Sequence, residues 1–88
     1  MAIEITARHE ANDDGMQDYA KAKAQRLMDE FPGVENVHIV LDAERHRRIA
    51  ECVVQGRRHV RLESIFESDD MKTSIDKVVH KIKTRLRR

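Results

Sequence analysis

A chain of 88 residues has room for one domain with a single core and no second lobe. Hydrophobic residues make up 40% and charged residues 38%, with 17 Lys/Arg against 16 Asp/Glu, so a densely charged globular fold is expected and a uniformly basic surface is excluded by a net charge of only +1. No apolar run reaches the length of a membrane span or a signal h-region, and a single Cys52 excludes an internal disulfide, which together predict a cytoplasmic protein.

Taken in order, Ile3, Ile5 and Ala7 alternate with Glu4, Thr6 and Arg8, the pattern of a strand over about residues 2–8 with one buried face. Asp13 then precedes a helical pattern in which Met16, Tyr19, Ala20, Ala24, Leu27 and Phe31 share a face, giving helix one over roughly 14–31, ended by Pro32-Gly33. Lys23 and Arg26 lie on one flank of that face. Val37, Ile39 and Leu41 alternate with His38, Val40 and Asp42 in a second strand from Val34 to Glu44. The run Arg45-His46-Arg47-Arg48 is too charged to bury and is read as a turn or splayed hairpin tip. Ile49 to Gln55 forms strand three, with Ala50, Cys52 and Val54 on its cleaner apolar face, and Gly56 with Arg57 and Arg58 makes the next turn. Val60, Leu62, Ser64 and Phe66 alternate with Arg61, Glu63 and Ile65 as strand four.

Helix two, within 69–88, carries Met71, Ile75, Val78, Val79, Ile82 and Leu86 as one apolar stripe that needs a sheet to cover. Ser68-Asp69-Asp70 supplies an N-cap and first-turn carboxylates, and cations accumulate in the last turns, both suited to the helix dipole. The order β-α-β-β-β-α predicts an α+β fold in two layers. Strands one and two are joined by a right-handed parallel crossover, an antiparallel meander follows, and both helices share one face of a four-stranded sheet.

Charge is segregated along the chain. Residues 10–18 hold Glu10, Asp13, Asp14 and Asp18 without a cation, whereas 45–61 hold Arg45, Arg47, Arg48, Arg57, Arg58 and Arg61 against Glu51 alone. On helix two, Lys77, Lys81, Arg85 and Arg88 form one basic line, with Lys72, Lys83 and Arg87 on the other flank. Such a line is either a solvated face or a surface that binds phosphate, and the Arg45–Arg48 cluster adds weight to the second reading. With one Tyr and two Phe, and Phe31 and Phe66 directed to the core, no platform for stacking unpaired bases is available, so recognition would go through phosphate and shape.

Catalytic chemistry finds little support. Cys52 reads as a buried structural thiol, Asp69-Asp70 as capping groups, and the five histidines show no metal-ligand spacing. No Gly-rich phosphate loop is present, and no cofactor, metal or small-molecule substrate is expected.

The strings Arg8-His9, Asp18-Tyr19, Val37-His38-Ile39-Val40-Leu41, Glu44-Arg45-His46-Arg47-Arg48-Ile49-Ala50-Glu51, Glu67-Ser68-Asp69-Asp70-Met71 and Ile75-Asp76, in this order and nearly without gaps, resemble the ribosome hibernation-promoting factors. These are also called ribosome-associated translation inhibitors or sigma-factor modulation proteins, and the chain corresponds to their short form. The resemblance implies a fold similar to a double-stranded-RNA-binding domain with an added strand, and no enzymatic activity. It implies binding to the small ribosomal subunit and its ribosomal RNA, in the decoding channel, during starvation or cold, so that transfer RNA is excluded. Lys23 and Lys81 match basic positions of the family, and Arg8, Arg45, Arg47 and Arg48 fall within its strings; Arg26, Lys77, Arg85 and Arg88 are added from the helical pattern alone.

Two departures stand out. Lys72 replaces the aromatic usual after Asp-Met, and the segment after Gly56 is richer in Arg than the usual glycine turn. The sequence ends with helix two, where long members carry a dimerising C-terminal domain, so residues 1–88 are expected to form a single ribosome-binding domain, monomeric off the ribosome, that does not pair ribosomes by that route. The competing expectation is a non-catalytic protein-interaction module that uses the open sheet face or a strand edge, its arginines serving solubility.

Overall fold

The computed structural model describes residues 2–9 and 14–87, with Asp14 described by its backbone alone. Its elements are β1 (Ala2–Ala7), α1 (Asp14–Glu30), β2 (Val34–Glu44), β3 (Arg47–Gly56), β4 (Arg61–Ser68) and α2 (Met71–Leu86), with a short helical turn at Arg57–His59 between β3 and β4. The strands lie in sheet order β1-β2-β3-β4, β1 parallel to β2 and the remaining pairs antiparallel. Asp13, expected to precede α1, and residues 10–12 before it lie outside the described residues.

Pairing register explains which face is covered. Ile5, Ile39, Cys52 and Ser64 stand side by side across the four strands, and the neighbouring rows are Ile3, Val37, Val54, Leu62 and Ala7, Leu41, Ala50, Phe66. Onto these rows pack Ala20, Ala24, Leu27 and Met28 of α1 and Met71, Ile75, Val78, Val79 and Ile82 of α2. Leu27, Ile39, Leu41, Ile75 and Ile82 are completely buried, each contributing about 1.5–3 kcal/mol of apolar burial. The opposite face is open, although Val40 on it is buried.

Strand β3 begins two residues earlier than the charge of its sequence suggests. Glu44 pairs with Arg47 and Ala43 with Arg48, so only Arg45-His46 remain as the turn, and the expected four-residue turn over 45–48 is corrected to two. The strand tolerates both arginines because they sit at the sheet's end. Arg47 reaches Glu67 at 3.5 Å on the open face, and the Arg48 guanidinium folds over its own turn to donate to the carbonyls of Arg45 and Arg47 at 3.2 and 3.1 Å.

At the other end of the sheet the chain is tight. The Arg57 N–H donates to the Gly33 carbonyl at 3.2 Å, and a Cβ on Gly56 would stand 3.1 Å from that same oxygen, so this close approach favours glycine at 56. Arg58 and His59 follow with φ of 63° and 64°, a left-handed backbone that costs a non-glycine residue on the order of 1–3 kcal/mol. Val60, expected to open strand four, instead closes this turn and is 47% exposed.

Helix α2 is anchored at its start by a hydroxyl relay. The Asp70 carboxylate accepts from the Thr73 N–H at 3.1 Å as N-cap, and the buried Ser74 hydroxyl donates to the Arg48 carbonyl at 2.6 Å while lying 2.7 Å from Ser68 Oγ. Periodicity alone misses Ser74, a polar residue inside an apolar stripe.

Candidate nucleic-acid interface

Helix α2 carries Lys72, Lys77, Lys81, Lys83 and Arg85 against a single carboxylate, Asp76. Packing the apolar stripe onto β3 and β4 fixes where each cation goes. Lys81 and Arg85 lie along β4, an edge strand whose outer carbonyls have no neighbouring strand among the described residues. The Lys81 ammonium stands 5.3 Å above the Phe66 ring and donates to the Ile65 carbonyl at 3.3 Å; Arg85 donates to the Glu63 carbonyl at 2.8 Å. Both residues remain exposed, so their heads line the edge and face solvent.

Between the helices, Tyr19 of α1 donates to the Asp76 carboxylate, and Lys23 lies 3.4 Å from the same group. Lys23 and Lys72 stand 5.4 and 5.5 Å from the Tyr19 ring, so one cation from each helix flanks one aromatic side chain. The Asp76 hydrogen bond, reinforced by burial, pushes the Tyr19 hydroxyl up to about 12. Arg26 and Lys77 are exposed on the same two helices. Lys83 and Arg87 are engaged elsewhere, holding Glu30 at 3.2 and 3.3 Å, and the Lys83 ammonium keeps the Glu30 carboxyl below its usual range.

Arg8 and Arg45 gather at one end of the sheet. The parallel pairing of β1 with β2 puts both at the end where β2 finishes; Arg8 is tied there by its backbone N–H to the Leu41 carbonyl at 2.8 Å, and the side chains of Arg8 and Arg45 are exposed. Arg47 shares that end but turns to the open face, and Arg48 is half-buried and occupied by backbone carbonyls. Arg88 lies outside the described residues. The expected cations therefore form no single cluster. They form a band that starts at the Arg8/Arg45 end, crosses the start of both helices and runs down the β4 edge.

Sequence reasoning overlooked two parts of this surface. Lys72, placed on the flank of helix two opposite the basic line and noted as a departure, joins Lys23 at Tyr19. Arg57, Arg58 and Arg61 extend the basic surface at the far end of the sheet, and the excess of arginine over 45–61 was the signal that could have found them.

The open sheet face has the opposite character. Glu4, Glu51, Glu63 and Glu67 point away from the helices, with Asp42 beside them accepting from His9 at 2.7 Å, a bond that holds the Asp42 carboxyl below its usual range. His38 on this face is held by Thr6 at 2.9 Å and Glu4 at 3.5 Å. Carboxylates outnumber the cations Arg47 and Arg61 on this face, the reverse of the balance on α2.

Other chemistries have no seat among the described residues. Cys52 is completely buried, and burial pushes its thiol up to about 12, so no thiolate is available. No group of three or more His, Cys, Asp and Glu side chains is arranged to hold a metal ion, and no helix is long and apolar enough to cross a membrane.

Comparison with known proteins places this architecture. The chain shares its fold with a ribosomal subunit interface protein from Coxiella burnetii, at a TM-score of 0.85 and 23% identity, over 98% of this chain and 93% of that one. It likewise matches the N-terminal domain of Protein Y from Thermus thermophilus at a TM-score of 0.83 and 25% identity, over 98% and 96% of the two chains. Comparison with curated protein sequences returns no match. The model of the family described as sigma 54 modulation protein / S30EA ribosomal protein matches residues 3–88, and the chain belongs to that family.

Proposed function

We propose that this protein is a ribosome-associated factor that occupies the decoding channel of the small subunit under stress, holds ribosomal RNA by its phosphates and excludes transfer RNA. The observation that carries this reading is the partition of charge, with unpaired or solvent-facing cations on the helix side and β4 edge and carboxylates across the open sheet face. Family membership and the subunit-interface name of the Coxiella protein support the choice of the ribosome as partner.

Phosphate contact suits the side chains on offer. Tyr19 is enclosed by Lys23, Lys72 and Asp76, and Phe66 lies under Lys81, so neither ring is free to stack on a base. Lys23, Arg26, Lys77, Lys81 and Arg85 with Arg8 and Arg45 contact backbone oxygens and position the protein without reading sequence. Arg47 contributes less, since Glu67 faces it, and Arg48 serves the turn.

Gradient sedimentation of a stationary-phase lysate tests this. Comigration with ribosomal particles that survives moderate salt is expected, whereas a position at the top of the gradient overturns the proposal and favours a module that works through its carboxylate-bearing sheet face.

A further inference from the structure

The two hairpin turns, at opposite ends of the sheet, each hold an arginine in left-handed backbone. Arg45 in the β2–β3 turn has φ of 54°, and Arg58 and His59 in the β3–β4 turn have φ of 63° and 64°. Hairpins ordinarily give such positions to glycine or asparagine, because a Cβ in left-handed backbone crowds the following carbonyl. An arginine kept there at both ends sacrifices stability, and strain of this kind collects where a side chain must be presented in a set direction.

The β3–β4 turn presents its side chains to solvent. Arg57, Arg58 and His59 are all exposed, and none has a side-chain hydrogen bond or ion pair among the described residues. That separates them from Lys83 and Arg87, which are tied to Glu30, and from Arg48, which serves its own turn. Glu35 lines the same depression as Arg58, His59 and Arg61, and Arg61 is paired with Glu63 at 2.7 Å, so the turn keeps a cationic excess in Arg57 and Arg58.

Position makes this excess useful. The ten residues of β3 separate the two turns by about 30 Å at the usual strand rise, nearly the full 38 Å length of the molecule. Between them β4 runs with Lys81 and Arg85 along its edge, and Arg57 lines one depression with Leu86 at the end of α2, Phe31 and Val60.

We infer that Arg57 and Arg58 are a second phosphate-binding end, so that RNA backbone is held along the β4 edge from the Arg45 turn to the Arg58 turn and not at the helix flanks alone. The inference rests on the ribosome-binding reading above.

Arg58→Gly tests it, because glycine relaxes the backbone while removing the cation. The melting temperature should rise, while affinity for purified small ribosomal subunits, measured by cosedimentation, should fall. For Arg57→Gln/Arg58→Gly together the loss should be on the order of tenfold, with the log-log salt slope shallower by about two over roughly 50–200 mM salt. Arg57→Gln alone leaves the positive-φ residues in place and should lower affinity and slope by about half as much on a logarithmic scale. If Arg58→Gly and Arg57→Gln bind as the parent does while Lys81→Ala/Arg85→Ala binds weakly, the turn is merely strained and the inference fails with the ribosome reading intact. If the parent protein does not cosediment, both fall together.

Discussion

The Tyr19 hydroxyl donates its hydrogen to a carboxylate oxygen of Asp76, so the chain's one tyrosine ties α1 to α2 at the level where Lys23 and Lys72 flank its ring. A carboxylate acceptor favours the neutral phenol, and losing the proton would set two anions side by side. The folded value, about 12, lies above the ordinary 10. The contribution to stability is therefore complete below pH 10 and disappears as pH rises towards 12. Tyrosinate absorbance, which has a single source here, should show a midpoint near 12, and Asp76→Asn should bring it back towards 10. A midpoint of 10 in the parent protein would mean that the two helices are not joined by this bond.

Ser74→Ala should be costly for so small a change. The hydroxyl is fully buried and donates to the Arg48 carbonyl, so its removal loses a buried hydrogen bond and deprives Ser68 Oγ of a neighbour. A loss of about 1–3 kcal/mol is expected in denaturant unfolding, and Ser74→Cys, whose thiol is a weaker donor, should recover only part of it. An unchanged midpoint would show that the start of α2 does not depend on the relay.

Ile82→Ala should cost about 2–5 kcal/mol, since Ile82 is completely buried between α2 and the sheet and truncation leaves a cavity. Sequence periodicity ranks Phe66→Ala beside it. The geometry separates the two, because Phe66 stands on the edge strand, half-buried beneath Lys81, and its truncation opens to solvent instead of leaving a closed void. Denaturant midpoints in the reverse order would mean that β4 is packed more tightly than its edge position allows.

Lys81→Ala and Arg85→Ala should each make the salt slope of ribosome binding shallower by about one. The sequence alone predicts no effect on melting, since both side chains lie outside the core. Their hydrogen bonds to the Ile65 and Glu63 carbonyls, and Lys81 over Phe66, change that expectation to a loss on the order of 1 kcal/mol for the pair. Unchanged affinity and slope would reduce this line to a solvated face and move the RNA contact to the arginine turns.

The fold was legible wherever one face had to be buried. The alternation from Val34 to Glu44 and the three- and four-residue spacing from Met71 to Leu86 fix both elements and their facing, because a slip of one residue would expose Ile39 or Ile82. The boundary at Arg47 was not legible, since a strand end is decided by pairing with Glu44 and not by the character of arginine. The site was harder still. Lys83 and Arg85 look equivalent on the helix, but Glu30, distant in sequence, engages the first while the second reaches the β4 edge. Which cations are free for a partner is a property of tertiary neighbours, and neither composition nor periodicity contains it.

Cys52 lies in the middle row of the sheet beneath the helices, completely buried and with its thiol held well above neutral values. A water-borne alkylating reagent reaches that sulfur only when helices and sheet come apart, so in a chain with one cysteine the rate of modification acts as a clock for opening of the whole domain. The same clock runs with ribosomes present. Any slowing then measures how much the bound partner holds the layers shut, from a reporter buried within the core and outside the contact surface.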